Sequence, residues 1–170
     1  ENTKMRRSLP LQVLHHEWII NGKQFKTYPG GQDGAKTSGG TVLFLHGLLG
    51  SGKNLRAPAK KLTQRHPGLT ALLLDARGHG KSPSLTPEHS LANAAKDVVD
   101  TCRSLGLSGS EFSPVGVIGH SFGGRLALEY LRGSVLDTSA TDEHDAVLPP
   151  KVTWILDSVP GEIEKSVGGV

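Results

Sequence analysis

Apolar residues come in short continuous runs along most of this chain, and the stretches between the runs carry a helical period. TVLFLHG at 41–47 and TALLLDARG at 70–78 are nearly unbroken apolar segments, and PVGVIGH at 114–120 and VTWILDSVP at 152–160 repeat the form. Such runs mark strands covered on both faces, as in a parallel sheet flanked by crossover helices. Four buried strands are predicted. Between them, 53–65 and roughly 87–105 read as helices; in the second, Leu91, Ala94, Ala95, Val98, Cys102 and Leu105 share one face. Thr86, ahead of Pro87 and Glu88, is the predicted N-cap.

Before residue 40 the pattern changes. LQVLHHEWII (11–20) and KQFKTYPG (23–30) flank Asn21-Gly22, a dipeptide that favours a two-residue hairpin, so an antiparallel sheet edge is expected there. Residues 1–10 read as a disordered tail, and 30–40 and 133–150, polar and without period, as flexible loops. The fold class is therefore α/β: a mostly parallel sheet with an antiparallel N-terminal hairpin, in a single unit over 1–170.

Composition narrows the partners. With a net charge of +3 and acidic and basic residues interleaved apart from Lys4, Arg6, Arg7 and the pair Lys60, Lys61, no nucleic-acid partner is expected. No apolar run reaches the ~18 residues that a membrane helix needs, so no membrane span is expected either. Cys102 stands alone, cannot form an internal disulfide, and reads as a buried structural thiol. ENTKMRRSLP lacks the apolar core of a secretory signal, and its basic, Ser-containing start is compatible with the remnant of an organellar transit peptide. The expected location is intracellular, either cytoplasmic or in a chloroplast or mitochondrion. No metal is expected: His15 and His16 are neighbours on a strand and point to opposite faces, and no Cys/His ligand spacing appears.

The chemistry concentrates in Gly119-His120-Ser121-Phe122-Gly123, a G-x-S-x-G sequence directly after a strand and before the helical run RLALEYL. A chain reversing that sharply forces strained angles on Ser121 and leaves no room for side chains at Gly119 or Gly123. The hydroxyl is then held clear of the backbone at a helix N-terminus, which favours developing negative charge. The bland alternative is a Gly-rich strand-to-helix turn of a nucleotide-binding fold whose serine only caps the helix. HGLLGS after the first buried strand argues for the catalytic reading, because an oxyanion hole needs a second backbone donor. The amides of Phe122 and Leu48 are the candidate donors, with His46 ordering the loop by hydrogen bonding rather than serving as a base.

HGLLGS, LLLDARGHGKS and GHSFGG, in this order and spacing, resemble the α/β-hydrolase superfamily, in particular small esterases of the YbfF type and the abhydrolase domain-containing group. The resemblance covers roughly 41–161. It implies a serine hydrolase of small-molecule carboxylic esters or thioesters needing no cofactor, with Ser121 as nucleophile and the Leu48 and Phe122 amides as oxyanion donors.

A serine needs a histidine to take its proton and a carboxylate to hold that histidine. Asp157 ends the strand VTWILD beside the elbow strand, at the sheet edge where reacting groups gather, and is either the triad acid or a loop-ordering carboxylate. Asp75 reads as fixing the Arg77–Gly80 turn. In this superfamily the histidine follows the acid, yet none follows Asp157. His144 sits in an acidic loop, and the ring of His120 is expected to turn away from the Ser121 hydroxyl. The chain therefore reads as the N-terminal part of a longer enzyme, truncated after about the sixth strand, with its catalytic histidine beyond Val170 and at best feeble activity alone. VTWILD would then be an unpaired edge.

Two rivals stand beside this reading. Gly47 to Asn54, GLLGSGKN, falls one residue short of the P-loop pattern, with Asn54 where a hydroxyl would hold magnesium. The other is a hydrolase-fold protein that has lost catalysis and serves as a binding module.

Overall fold

The computed structural model describes residues 13–29, 39–84, 89–135 and 145–158. The predicted tail at 1–10, Thr86 and Pro87, His144 and most of the loop at 30–40 lie outside the described residues.

β1 (His16–Ile20) turns at Asn21 and Gly22, whose φ values are 48° and 74°, into β2 (Lys23–Phe25). Two successive residues in the left-handed region are what a two-residue hairpin requires, and Asn-Gly adopts them at little cost. β1 pairs antiparallel with β4 (Thr70–Leu74), setting Trp18 opposite Leu72. β3 (Thr41–Leu45) runs parallel to β4 and to β5 (Gly116–His120), and β6 (Val152–Leu156) runs parallel to β5. The order is β2-β1-β4-β3-β5-β6, a mostly parallel sheet with an antiparallel N-terminal pair, as the apolar pattern implies.

Alternation along each strand sorts the core onto two faces. Leu43, Leu45, Leu72 and Leu74 join Trp18 beneath α2 (Leu91–Ser104) and, after the single-turn α3 (Gly109–Phe112), α4 (Phe122–Val135). Val42, Phe44, Ala71 and Leu73 join Ile19 on the other face, against α1 (Arg56–Arg65). Each such leucine or phenylalanine stabilises the fold by about 1.5–3 kcal/mol through burial, so the central strands are fixed before any polar contact is counted.

Three expectations are corrected. The second helix begins at Leu91 because the Ser90 hydroxyl, immediately before the apolar face, accepts the Asn93 N–H at 3.1 Å and caps it there. α4 runs on to Val135, so Gly133 and Ser134 are helical and not loop. Its apolar face explains this: Leu126, Ala127 and Tyr130 are buried, and Ser134 continues their line at helical spacing. Val147 also returns into the core, while 136–144 lie outside the described residues. Finally, β6 is not buried on both sides. α4 covers the face that carries Ile155, but Val152 and Trp154 on the opposite face are 60% and 62% exposed. β6 is the last strand of the described sheet, and a continuous apolar run does not reveal which of its faces receives a cover. No described helix is long and apolar enough to cross a membrane.

Candidate active site

Between β5 and α4 the chain reverses at one residue. Ser121 has φ 52°, a left-handed conformation that costs a residue with a side chain about 1–3 kcal/mol and persists only where packing dictates it. The packing is backbone on backbone. A Cβ on Gly119 would lie 2.2 Å from the Gly123 carbonyl oxygen, and one on Gly123 would lie 2.1 Å from that of Leu45. The Ser121 N–H donates to the Leu156 carbonyl at 2.8 Å, and the Ser121 carbonyl accepts the Gly124 N–H at 2.9 Å. Its hydroxyl has no hydrogen-bond partner among the described residues.

The loop after β3 passes beside this turn: a Cβ on Gly47 would sit 3.4 Å from the Ser121 Cβ. His46 holds the loop in place. The Ala76 N–H donates to its Nε2 at 3.0 Å, which puts the ring proton on Nδ1, and Nδ1–H donates to the Gly47 carbonyl at 2.7 Å. Burial pushes the His46 pKa below its ordinary 6.5, so the ring is neutral with both nitrogens engaged. It orders the loop and is not free to act as a base. The Gly50 N–H also donates to the Gly47 carbonyl, at 3.0 Å. In a trans peptide the carbonyl and the following N–H point in opposite directions, so anchoring the Gly47 oxygen directs the Leu48 N–H the other way. Neither the Leu48 nor the Phe122 amide donates to an acceptor among the described residues.

Asp75 ties three segments to this loop. Its carboxylate accepts the Gly52 N–H at 2.7 Å, the Lys81 N–H at 2.9 Å and the His15 Nδ1 at 2.9 Å. Burial alone would raise its pKa, but the Lys81 and Gly52 amides and His15 outweigh it, and the carboxyl titrates below its ordinary 3.8. A Cβ on Gly80 would come within 2.2 Å of Asp75 Oδ2, so the turn closes tightly around the carboxylate. Arg77 leads into that turn and is clamped by Asp97 of α2, Nε at 2.6 Å and Nη2 at 2.7 Å. Asp75 is thus a loop-ordering carboxylate. The same bonds dispose of the P-loop reading. A phosphate cradle needs free amides, whereas those of Gly50, Ser51, Gly52 and Asn54 donate to Gly47, Asn54, Asp75 and Ser51.

Asp157 follows β6 at φ 50°, one residue beyond the Leu156 that pairs with His120. Its side chain is 91% exposed and lies 3.9 Å from the Nε2 of His120, whose Nδ1 would lie 3.0 Å from a Cβ on Gly47. Leu48 is exposed at the rim, and Phe122 packs partly into the core. Cys102 is fully buried, and that burial pushes its thiol up to about 12, which leaves it inert. Sequence reading weighs His15 only as a metal ligand, not as a partner of Asp75, and does not single out His79. His79 packs its ring against His46 and Phe122, and its one sequence cue is its place in DARGHG.

Set against known proteins, residues 42–166 match the profile of the Alpha/beta hydrolase family. The chain belongs to that family. It is 39% identical over 87 residues to the sn-1-specific diacylglycerol lipase ABHD11 of Mus musculus, covering 51% of this chain and 26% of the lipase. It is 34% identical over 98 residues to the esterase YbfF of Escherichia coli (strain K12), covering 56% of this chain and 35% of the esterase. A marine microorganism esterase of solved structure superposes with a TM-score of 0.61 at 24% identity, over 92% of this chain and 46% of its own, a likeness of fold. The chain thus spans between a quarter and a half of the length of these three relatives. Within this alpha/beta hydrolase, the elbow stands between β3 and β6, so that one strand supplies the HG loop and the other supplies Asp157.

Proposed function

We propose that this chain is the nucleophile-bearing part of a serine hydrolase acting on small-molecule carboxylic esters or thioesters. The observation that carries the reading is Ser121 itself: a serine forced to φ 52° by glycines that have no room for a Cβ, its hydroxyl without a partner among the described residues, beside a loop whose Leu48 amide, also without an acceptor there, is aimed by His46. In the reaction a histidine takes the Ser121 Oγ proton while Oγ attacks the carbonyl carbon. The carbonyl oxygen gains the negative charge and accepts hydrogen bonds from the Leu48 and Phe122 amides, each worth about 3 kcal/mol in the transition state. Collapse expels the alcohol or thiol with that proton, and water then releases the acid from the acyl-enzyme by the same route.

Asp157 is the acid in this reading, open to solvent at the edge beside the elbow and free to receive a histidine. No described histidine hydrogen-bonds the Ser121 hydroxyl. His46 is spent on the loop, and His120 points to Asp157 from the residue adjoining the nucleophile. The base is a histidine brought by other parts of the protein. A fluorophosphonate probe tests the reading: in the full-length protein Ser121 is labelled and Ser121→Ala is not. An unlabelled Ser121 would leave a hydrolase fold that binds without catalysing.

A further inference from the structure

The turn 77–80 belongs to no catalytic step, yet one of its side chains reaches both sides of the site. The His79 ring is fixed by a hydrogen bond at 2.8 Å between its Nδ1 and the carbonyl of Arg77, a residue itself clamped to α2 by Asp97. From that anchor it packs on the His46 ring at 5.4 Å between centroids and stacks on Phe122 at 5.9 Å with the planes 20° apart. His46 fixes the peptide that carries the Leu48 N–H, and Phe122 carries the other free amide on its own backbone.

We infer that His79 is a positioning residue that holds the two oxyanion-hole amides at a fixed separation through its ring contacts, tilted at 55° on His46 and stacked on Phe122. The inference rests on the oxyanion-hole reading given above. Its physical basis is the poverty of other side-chain anchors: Gly123 and Gly124 follow Phe122, so the Phe122 ring is the first side chain by which the opening turn of α4 grips its surroundings. A donor that must meet an oxyanion at hydrogen-bond distance loses much of its effect when displaced by a fraction of an ångström, and a ring packed between two others keeps them from closing on one another. A flat ring held against the Arg77 carbonyl, and not proton transfer, is what His79 supplies.

The test compares His79→Ala and His79→Phe in the full-length protein, with p-nitrophenyl butyrate as substrate and a trifluoromethyl ketone as an inhibitor that forms an oxyanion on Ser121. His79→Ala is expected to lower kcat about 3- to 10-fold with KM nearly unchanged, since the donors act on the transition state and not on the bound ester. The ketone should weaken by the same factor. His79→Phe keeps the flat ring and should restore most of both. The inference is overturned if His79→Ala leaves kcat intact, if its loss appears in KM, or if His79→Phe is as poor as a variant lacking the ring. Should His79→Ala not fold, His79→Phe still decides, because a kcat well below wild type would show that the ring does not suffice. Ser121→Ala separates the two levels: if it leaves activity unchanged, the serine-hydrolase reading fails. If it abolishes activity while His79→Ala is silent, only the role of His79 fails.

Discussion

The centre of the sheet and its β6 edge carry the two halves of the candidate site in opposite ways. At the centre, Ser121 and the HG loop are set by contacts that leave no slack: backbone against backbone at Gly119 and Gly123, a neutral His46 with both nitrogens engaged, and Asp75 accepting from three segments. At the edge, Asp157 is 91% exposed, its nearest ionic partner is 3.9 Å away, and the strand before it shows Val152 and Trp154 to solvent. Groups that must stabilise charge at the moment of reaction need to be fixed beforehand, since reorganising them would cost what they are meant to save. A carboxylate that receives a histidine needs an open approach instead. On the proposed reading, nucleophile and donors are therefore preorganised within these residues, and the acid is left accessible.

The sharpest way to break that contrast is a pair of neighbouring glycines. Gly123→Ala would drive a Cβ to 2.1 Å from the Leu45 carbonyl oxygen in the middle of the sheet, where neither chain can give way. The cost should exceed about 4 kcal/mol, enough that the variant does not accumulate as folded protein. Gly124→Ala meets the side chains of Ile155 on the edge strand and Ser158 just beyond it, both at 2.8 Å, and these can shift. It should fold with a lowered Tm. Equal thermal melts for the two variants would mean that the edge is as unyielding as the centre.

Asp157→Asn sharpens the comparison from the other side. A carboxylate so exposed contributes little to folding, so Tm should stay where it is, while kcat of the full-length protein should fall about 10³- to 10⁴-fold if Asp157 orients the catalytic histidine. Wild-type kcat in this variant would return Asp157 to the role of a loop carboxylate and move the acid elsewhere.

Which parts of this were legible in the sequence follows the same divide. The hairpin at Asn21-Gly22, the positions of the central strands and the need for glycine at 119 and 123 around a sharp strand-to-helix turn all have local signatures, and the sequence carries them. The ring stack of His79 joins segments far apart in the chain, and nothing in DARGHG distinguishes a side chain that packs from one that is solvated. The bare face of β6 escaped for a related reason. VTWILD has the composition of a doubly covered strand, but covering is a property of the neighbours and not of the run. The helix start at Leu91 was missed because Thr86 and Ser90 are both competent caps, and only the packing of the helix decides between them.

Acidification should disturb the centre before the edge. Because burial depresses the His46 pKa, the unfolded chain binds a proton near 6.5 that the folded chain refuses, so stability is full above that pH and declines as pH falls below it. Protonation would also place a donor on Nε2, facing the Ala76 N–H. His46→Asn keeps an amide donor near the Nδ1 position and does not titrate. Its Tm should be lower than wild type at neutral pH yet fall less between about pH 7 and 5. Asp75 adds its own loss only below about pH 4, since its carboxyl is held under 3.8 in the fold. Parallel Tm curves for wild type and His46→Asn down to pH 5 would refute the neutral clamp.

The smallest effect is expected where a glycine serves neither centre nor edge. Gly133 lies in the last turns of α4, in helical conformation, and a Cβ built there meets nothing within 4 Å. A glycine in such a place costs the fold about 0.5–1 kcal/mol relative to alanine, because it gives the unfolded chain freedom that folding must remove. Gly133→Ala should accordingly raise Tm by about 1–4 °C and leave kcat and KM alone. The sign is what matters: the substitution that destroys the elbow at Gly123 should stabilise the same helix ten residues later, since the two glycines differ in what stands where the methyl would go. A lower Tm for Gly133→Ala would place a close neighbour against α4 where the described residues leave open space.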